Sequence, residues 1–277
     1  MDIESNALAL RQQAKIVRKT ILTMIHAAKS GHPGGSLSAA DLLTALYFNE
    51  LNIRPDDPKW DGRDRFILSK GHVCPALYSC LLLRGYFGEE HLLTLRQEGS
   101  ILQGHPDMKR CPGVDISSGS LGQGLSVGVG MALRAKRDKL PYRVFVLVGD
   151  GETDEGQIWE AVATASKYQL DNLIILCDNN GLQNDGPCDE IMPTRSLAEK
   201  FTAFGCQTQQ IDGHDMLQIL QAFRLVHTSN IKAPHCIVAK TVKGKGVSFM
   251  ENVAKWHGVA PNDEEYAQAM REIEEAK

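Results

Sequence analysis

Asp150 stands between Gly149 and Gly151 at the end of the apolar run 144–148, and Glu152, Asp154 and Glu155 follow within five residues. The flanking glycines let a ligand or another backbone come close and allow dihedral angles that other residues resist. Backbone N–H groups at such a turn can hold a phosphate, but the acidic cluster repels a bare one. A divalent cation removes the conflict: Asp150 binds Mg²⁺, and Mg²⁺ binds the phosphate oxygens. Magnesium needs further oxygen ligands in octahedral geometry. The stretch "CDNNGLQNDG" offers them, with Asn180 thirty residues after Asp150. That is one strand–helix–strand step, which sets two strand ends side by side. The competing reading makes Asp150 a turn residue that caps the next helix; the Asn-Asn-Gly at the neighbouring strand end weighs against it.

Histidine is the second chemical resource, because an unperturbed pKa of about 6.5 suits proton transfer near neutral pH. His32, His72, His105 and His257 lie beside glycines in "SGHPGG", "KGHV", "GHPD" and "KWHG". Taken singly, each reads as a turn histidine. His214 in "DGHD" reads as structural, with Asp212 and Asp215 fixing a turn before a helix, and His26, His91, His227 and His235 as ordinary surface or core positions. No HxxH, HExxH or CxxC pair occurs, which argues against a His- or Cys-ligated metal. The seven cysteines are scattered, as expected of free thiols in a reducing cytosol.

Elements must hold these residues in place. Leu10, Ile16, Val17, Ile21, Met24 and Ile25 recur near a 3.6 period and predict a helix over 7–29. A second helix is expected over 38–51 with Ser38 as N-cap, a strand over 64–71, and helices over 75–84 and 89–97. A helix beginning near 120 carries Gly124, Gly128 and Gly130, whose cost in helix propensity implies close packing. Strands at 143–149, 172–178, 206–211 (weak) and 235–241 then alternate with helices at 154–168, 194–203 and 215–227, and a tail helix spans 263–277. The fold class is α/β, with a parallel central sheet and helices on both faces. Ligands bind such sheets beyond the carboxyl ends of the strands, where Asp150 and Asn179–Asn180 lie.

Bulk properties narrow the function. The chain has 277 residues, 43% hydrophobic and 23% charged, and a formal net charge of −4. No basic field points to nucleic acid or a membrane surface. No apolar run approaches the roughly 18 residues of a membrane span, and the acidic start lacks the apolar region of a secretory signal. A cytoplasmic protein is expected.

The pairing of "GDG" with "NN" about thirty residues later resembles the thiamine diphosphate fingerprint. "SGHPGGSLSAADLLTALYF", "DRFILSKGHVCPALY", "GHPD", "SSGSLGQGLSVGVGMA", "IDGHD" and "KTVKGKGVSFMENVAKWHG" follow in the order found in transketolases, and the resemblance covers nearly the whole chain. It implies a diphosphate-binding (PP-type) domain over 1–277, with N-terminal helices and a C-terminal tail helix. It implies thiamine diphosphate and Mg²⁺ (Ca²⁺ or Mn²⁺ can substitute), with the metal held by Asp150, Asn180 and the Leu182 carbonyl. Gly151 and Glu152 would line the diphosphate, which His72, Lys70 and Lys243 would approach. Gly119, Ser120 and Leu121 would meet the aminopyrimidine ring. His32 and His257 would contact the donor's C1–C3 end or the leaving aldehyde, with His257 also near the diphosphate, and His105 would bind the donor's C1 hydroxyl. Glu155 would meet its symmetry mate at the interface between two active sites.

In transketolases a pyrimidine-binding domain and a third domain follow, and neither is found in this sequence. The resemblance therefore implies the N-terminal half of a split enzyme, paired with a C-terminal partner chain in an α₂β₂ heterotetramer and acting on sugar phosphates. Other expectations stay open: a fragment of one longer enzyme, a specialised enzyme for an unusual sugar phosphate or a sulfosugar, a deoxyxylulose-phosphate synthase or an oxoacid enzyme, or a cofactor-binding relative without catalysis.

Overall fold

The alternating apolar runs form a five-stranded sheet in the computed structural model, which describes residues 2–193 and 195–276. Its strands are β1 (Arg65–Leu68), β2 (Val144–Gly149), β3 (Leu173–Asn179), β4 (Gln207–Asp212) and β5 (His235–Lys240). They lie in the order β1-β2-β3-β5-β4, and every pairing is parallel. Alternate strand residues enter two separate cores. Phe66, Phe145, Leu147, Ile174, Leu176 and Ile237 face α1 (Ile3–Ala28), α2 (Pro33–Ser38), α3 (Ala40–Ala45), α4 (Cys74–Leu83) and α9 (Met216–Thr228). Ile67, Val146, Val148, Ile175, Cys177 and Val238 face α5 (Gln123–Arg137), α6 (Gly156–Lys167) and α8 (Leu197–Ala203). Burial on both faces explains the unbroken apolar runs of β2 and β3, and the polar "QTQQID" of β4 lies on the sheet edge. The short α7 (Cys188–Ile191), which the sequence did not suggest, precedes α8, and α10 (Asp263–Glu275) packs on α1. No helix among the described residues is long and apolar enough to cross a membrane.

Several boundaries differ from expectation. The helix expected over 38–51 starts at Pro33, whose ring suits the first helical turn. It breaks at Ala39, resumes as α3 and ends in a widened turn over Leu46–Glu50. Ser38 is not an N-cap: its hydroxyl donates to the Gly35 carbonyl at 3.0 Å and to Asp178. The segment 89–97 is a single tight turn, Glu89–His91, followed by further turns. Arg96 there takes a left-handed φ of 61°, and its N–H closes a loop onto the Leu102 carbonyl. α8 starts at Leu197 with Ser196 as its cap; Thr194, within the expected helix, lies outside the described residues, as does Lys277 of the tail helix.

The glycines of α5 behave as two kinds. A Cβ on Gly124 would come within 2.5 Å of the Ser69 hydroxyl, and one on Gly128 within 2.6 Å of Val146 Cγ2, so both let the helix press on the sheet. A Cβ on Gly130 would meet nothing within 4 Å.

Candidate active site

The carboxyl ends of β1, β2, β3 and β5 share one edge of the sheet. They bring Ser69–Lys70, Gly149–Asp150, Asn179–Asn180 and Thr241–Lys243 together. A cavity of about 190 Å³ opens there, lined by Lys70, His72, Leu121, Asp150, Gly151, Glu152, Asn180, Leu182, Lys243 and His257 among others. Ten of the expected positions thus converge on one space.

Asp150 is 4% exposed. Among the described residues its oxygens accept backbone N–H groups, Gly151 at 2.8 Å and Gly181, and no cationic side chain bonds to it. Burial and the nearby charge of Asp178 raise its pKa. Asn180 Oδ1 accepts the Leu182 N–H at 3.1 Å. A buried carboxylate, an amide oxygen and a carbonyl make an all-oxygen donor set of the kind a hard divalent cation takes, so the residues present fit Mg²⁺. A Cβ on Gly151 would meet Gln183 Cγ at 2.8 Å, so a side chain after Asp150 would have to push Gln183 aside.

Two lysines bring positive charge. Lys70, 3% exposed, forms an ion pair with Asp178, which is fully buried and also accepts the Ser38 and Thr241 hydroxyls. Lys243 Nζ donates to the carbonyls of Leu182 at 3.2 Å and Gln183 at 2.9 Å and sits 2.9 Å from His257 Nδ1. Burial and the charge of Lys70 push Lys243 down to about 8. Gly34 makes this approach possible: a Cβ there would meet the Trp256 carbonyl at 2.8 Å and Lys243 Cγ at 2.9 Å.

The histidines from three distant segments form a triangle. Ring centroids are 5.2 Å apart for His32–His72, 5.4 Å for His32–His257 and 5.1 Å for His72–His257. Burial comes first in holding each one neutral, reinforced by Arg96 and His105 at His32 and by Lys70 at His72. His32 is lowered to about 4 and His72 to about 2. Burial and Lys243 lower His257 to about 4. Neutral imidazoles can accept a hydrogen bond from a bound hydroxyl, or donate one to it, without adding charge.

Other expected residues surround the cavity rather than line it. His105 is exposed, and a Cβ on Gly119 would meet its ring at 2.9 Å; Gly119 in turn packs on Gly71. Burial and Arg96 lower the His105 pKa. Ser120 is exposed beside Leu121. Glu155 is exposed at the start of α6, against Gly122, and makes no capping bond. Glu152 lines the cavity, but its carboxylate is bound by the Ser69 hydroxyl and by the N–H groups of Gly122 (2.9 Å) and Gly149 (3.1 Å). It ties the start of α5 to the ends of β1 and β2.

Sequence reasoning missed Asp178, Gln183 and Arg96. Asp178 was visible as a charged residue inside an apolar strand, which predicts a buried partner. The Arg96 guanidinium lies 3.4 Å from His32 Nδ1, and nothing in its local pattern marked it.

Residues 10–274 match the family described as "Transketolase, thiamine diphosphate binding domain". The chain is 46% identical over 266 residues to one of the subunits of the apulose-4-phosphate transketolase of Phocaeicola vulgatus, covering 96% of this chain and 94% of that one. It is 45% identical to the 6-deoxy-6-sulfo-D-fructose transketolase subunit SqwG of a Clostridium species, covering 96% of each. The transketolase of Campylobacter jejuni superposes with a TM-score of 0.92 at 34% identity, over 99% of this chain and 43% of that one. These matches show that the chain belongs to the transketolase family and forms its thiamine diphosphate binding domain.

Proposed function

We propose that this chain is the diphosphate-binding subunit of a two-subunit transketolase that moves a two-carbon ketol unit from a ketose phosphate to an aldose acceptor. The observation that carries the reading is the convergence of Asp150, Asn180 and Leu182 with Lys70, Lys243, His72 and His257 on one cavity. Asp150, Asn180 and the Leu182 carbonyl would hold Mg²⁺; Lys243 and His72 would meet the diphosphate, with Lys70 adding its charge from the pair with Asp178. When bound, thiamine diphosphate supplies the carbanion and electron sink that carbon–carbon cleavage needs.

The chain's own residues would do the rest. His32 and His257, neutral and in contact, would orient the donor's hydroxyls and take or return a proton at an oxygen of the substrate. His105, exposed to solvent, would bind the C1 hydroxyl. Gly119, Ser120 and Leu121 would face the aminopyrimidine ring. Glu155, exposed at the start of α6, would meet its counterpart in a second copy. A C-terminal subunit would close the site in an α₂β₂ assembly. The relatives named for apulose 4-phosphate and sulfofructose favour a second, narrower reading, in which the donor or acceptor is an unusual sugar phosphate or a sulfosugar.

The test is Mg²⁺-dependent cofactor binding in the assembled enzyme. Asp150→Ala or Asn180→Ala should weaken it by roughly a hundredfold or more, since loss of an outer partner of a metal ligand already costs about ten- to a hundredfold. Unchanged Mg²⁺ dependence in both variants would refute the metal site.

A further inference from the structure

Three side chains outside the cavity fix the backbone on either side of Lys243. Arg18 of α1 donates Nη1 to Asp41 Oδ1 at 2.9 Å and Nη2 to Oδ2 at 2.6 Å. His214, in the turn between β4 and α9, places Nδ1 2.7 Å from the same Oδ2. Its Nε2 accepts the Val242 N–H at 2.8 Å. An accepting Nε2 puts the proton on Nδ1, so the ring donates to Asp41. Arg18 Nε, a further donor of the guanidinium, reaches the Lys245 carbonyl at 3.2 Å. One carboxylate therefore controls an N–H one residue before Lys243 and a carbonyl two residues after it. Arg18 and Asp41 are only 7% and 6% exposed.

A bland account would make this an ion pair that joins α1, α3 and the β4–α9 turn. Buried ion pairs are poor stabilisers, because desolvation offsets most of their attraction, and apolar packing would join the same elements at least as well. What apolar packing cannot supply is direction. The outer bonds of the Arg18–Asp41–His214 network both end on backbone of the loop that carries Lys243. Lysine is a long, flexible point charge, so its placement depends on where its backbone is held. Nζ reaches the Leu182 and Gln183 carbonyls from this anchored stem.

We infer that Asp41, acting through His214 and Arg18, is the positioning centre for Lys243, and that this network sets the affinity of the cavity for a diphosphate. The inference rests on the reading of Lys243 as a diphosphate contact.

The experiment is a double-mutant cycle on the complex isolated from native cells, with thiamine diphosphate and Mg²⁺ as the probe. His214→Phe removes both hydrogen bonds of the ring and should weaken cofactor binding about tenfold when Lys243 is present. In a Lys243→Met background the same change should cost less than about twofold, because the group it aims is gone. His214→Gln, which keeps a donor and an acceptor, should restore most of the affinity. Equal losses in the two backgrounds would overturn the inference and leave His214 a support of the fold. Asp150→Ala serves as control for the site itself. If it abolishes binding while Lys243→Met does not weaken it, the cofactor site stands and this inference falls; if neither matters, both fall. Should His214→Phe not fold, amide exchange at Val242 in the unaltered chain decides. Protection matching the β5 amides is expected, and exchange at the rate of an open loop would overturn the proposal.

Discussion

Lys70 and Asp178 show how the cavity keeps its charges in place. Removing one partner of a buried pair leaves the other uncompensated, which costs about 3–5 kcal/mol. Asp178→Ala should therefore destabilise the chain by about that amount in urea unfolding, and a loss under about 1 kcal/mol would show that Lys70 finds another partner. The neutral histidines give a second prediction. His32 and His257 titrate near 6.5 when unfolded and near 4 when folded. Between those values the unfolded chain binds more protons, so stability falls as pH drops from about 6.5 towards 4, levels off below, and does not depend on these rings above. The melting temperature should be lower at pH 5 than at pH 7. The His32→Gln, His257→Gln double variant should narrow that gap, and an unchanged gap would place the acid sensitivity elsewhere.

At the scale of elements, α5 carries the sharpest contrast. Alanine is favoured over glycine in a helix by about 1 kcal/mol, so Gly130→Ala, which enters open space, should raise the melting temperature of the isolated chain. Gly128→Ala would set a Cβ 2.6 Å from Val146 Cγ2. Overpacking costs typically about 1–3 kcal/mol, so the melting temperature should fall. Opposite signs for two glycines two residues apart check that α5 lies on the sheet as described. The long periodic elements were legible: α1, β2, β3, α9 and β5 fall within a few residues of the expected spans, because their patterns reflect faces that are buried. The segments 38–51 and 89–97 were not. Their buried apolar residues, such as Leu42, Leu43 and Leu95, reach the core from broken helix and turns, where no regular period operates, and the Ser38 hydroxyl goes to Asp178 rather than to a cap. The cavity was legible where backbone need and chemistry coincide, as at Asp150 between glycines. It was illegible where a residue matters only through a distant partner: Asp178 through Lys70, or His214, read as a turn residue, through Asp41 and Val242.

At the scale of the molecule, Leu121 lines the cavity, and Ser120, His105 and Glu155, the last a few residues beyond Asp150, are exposed to solvent. On our reading a second polypeptide completes the site and supplies the surface for the aminopyrimidine ring. The direct measurement is ketol transfer between sugar phosphates, with Mg²⁺ and thiamine diphosphate. It is made first on the rigorously purified chain and then on the same chain with its stoichiometric co-purifying partner. No turnover is expected from the chain alone, and turnover is expected on adding the partner. Robust turnover by the chain alone would contradict the two-subunit reading.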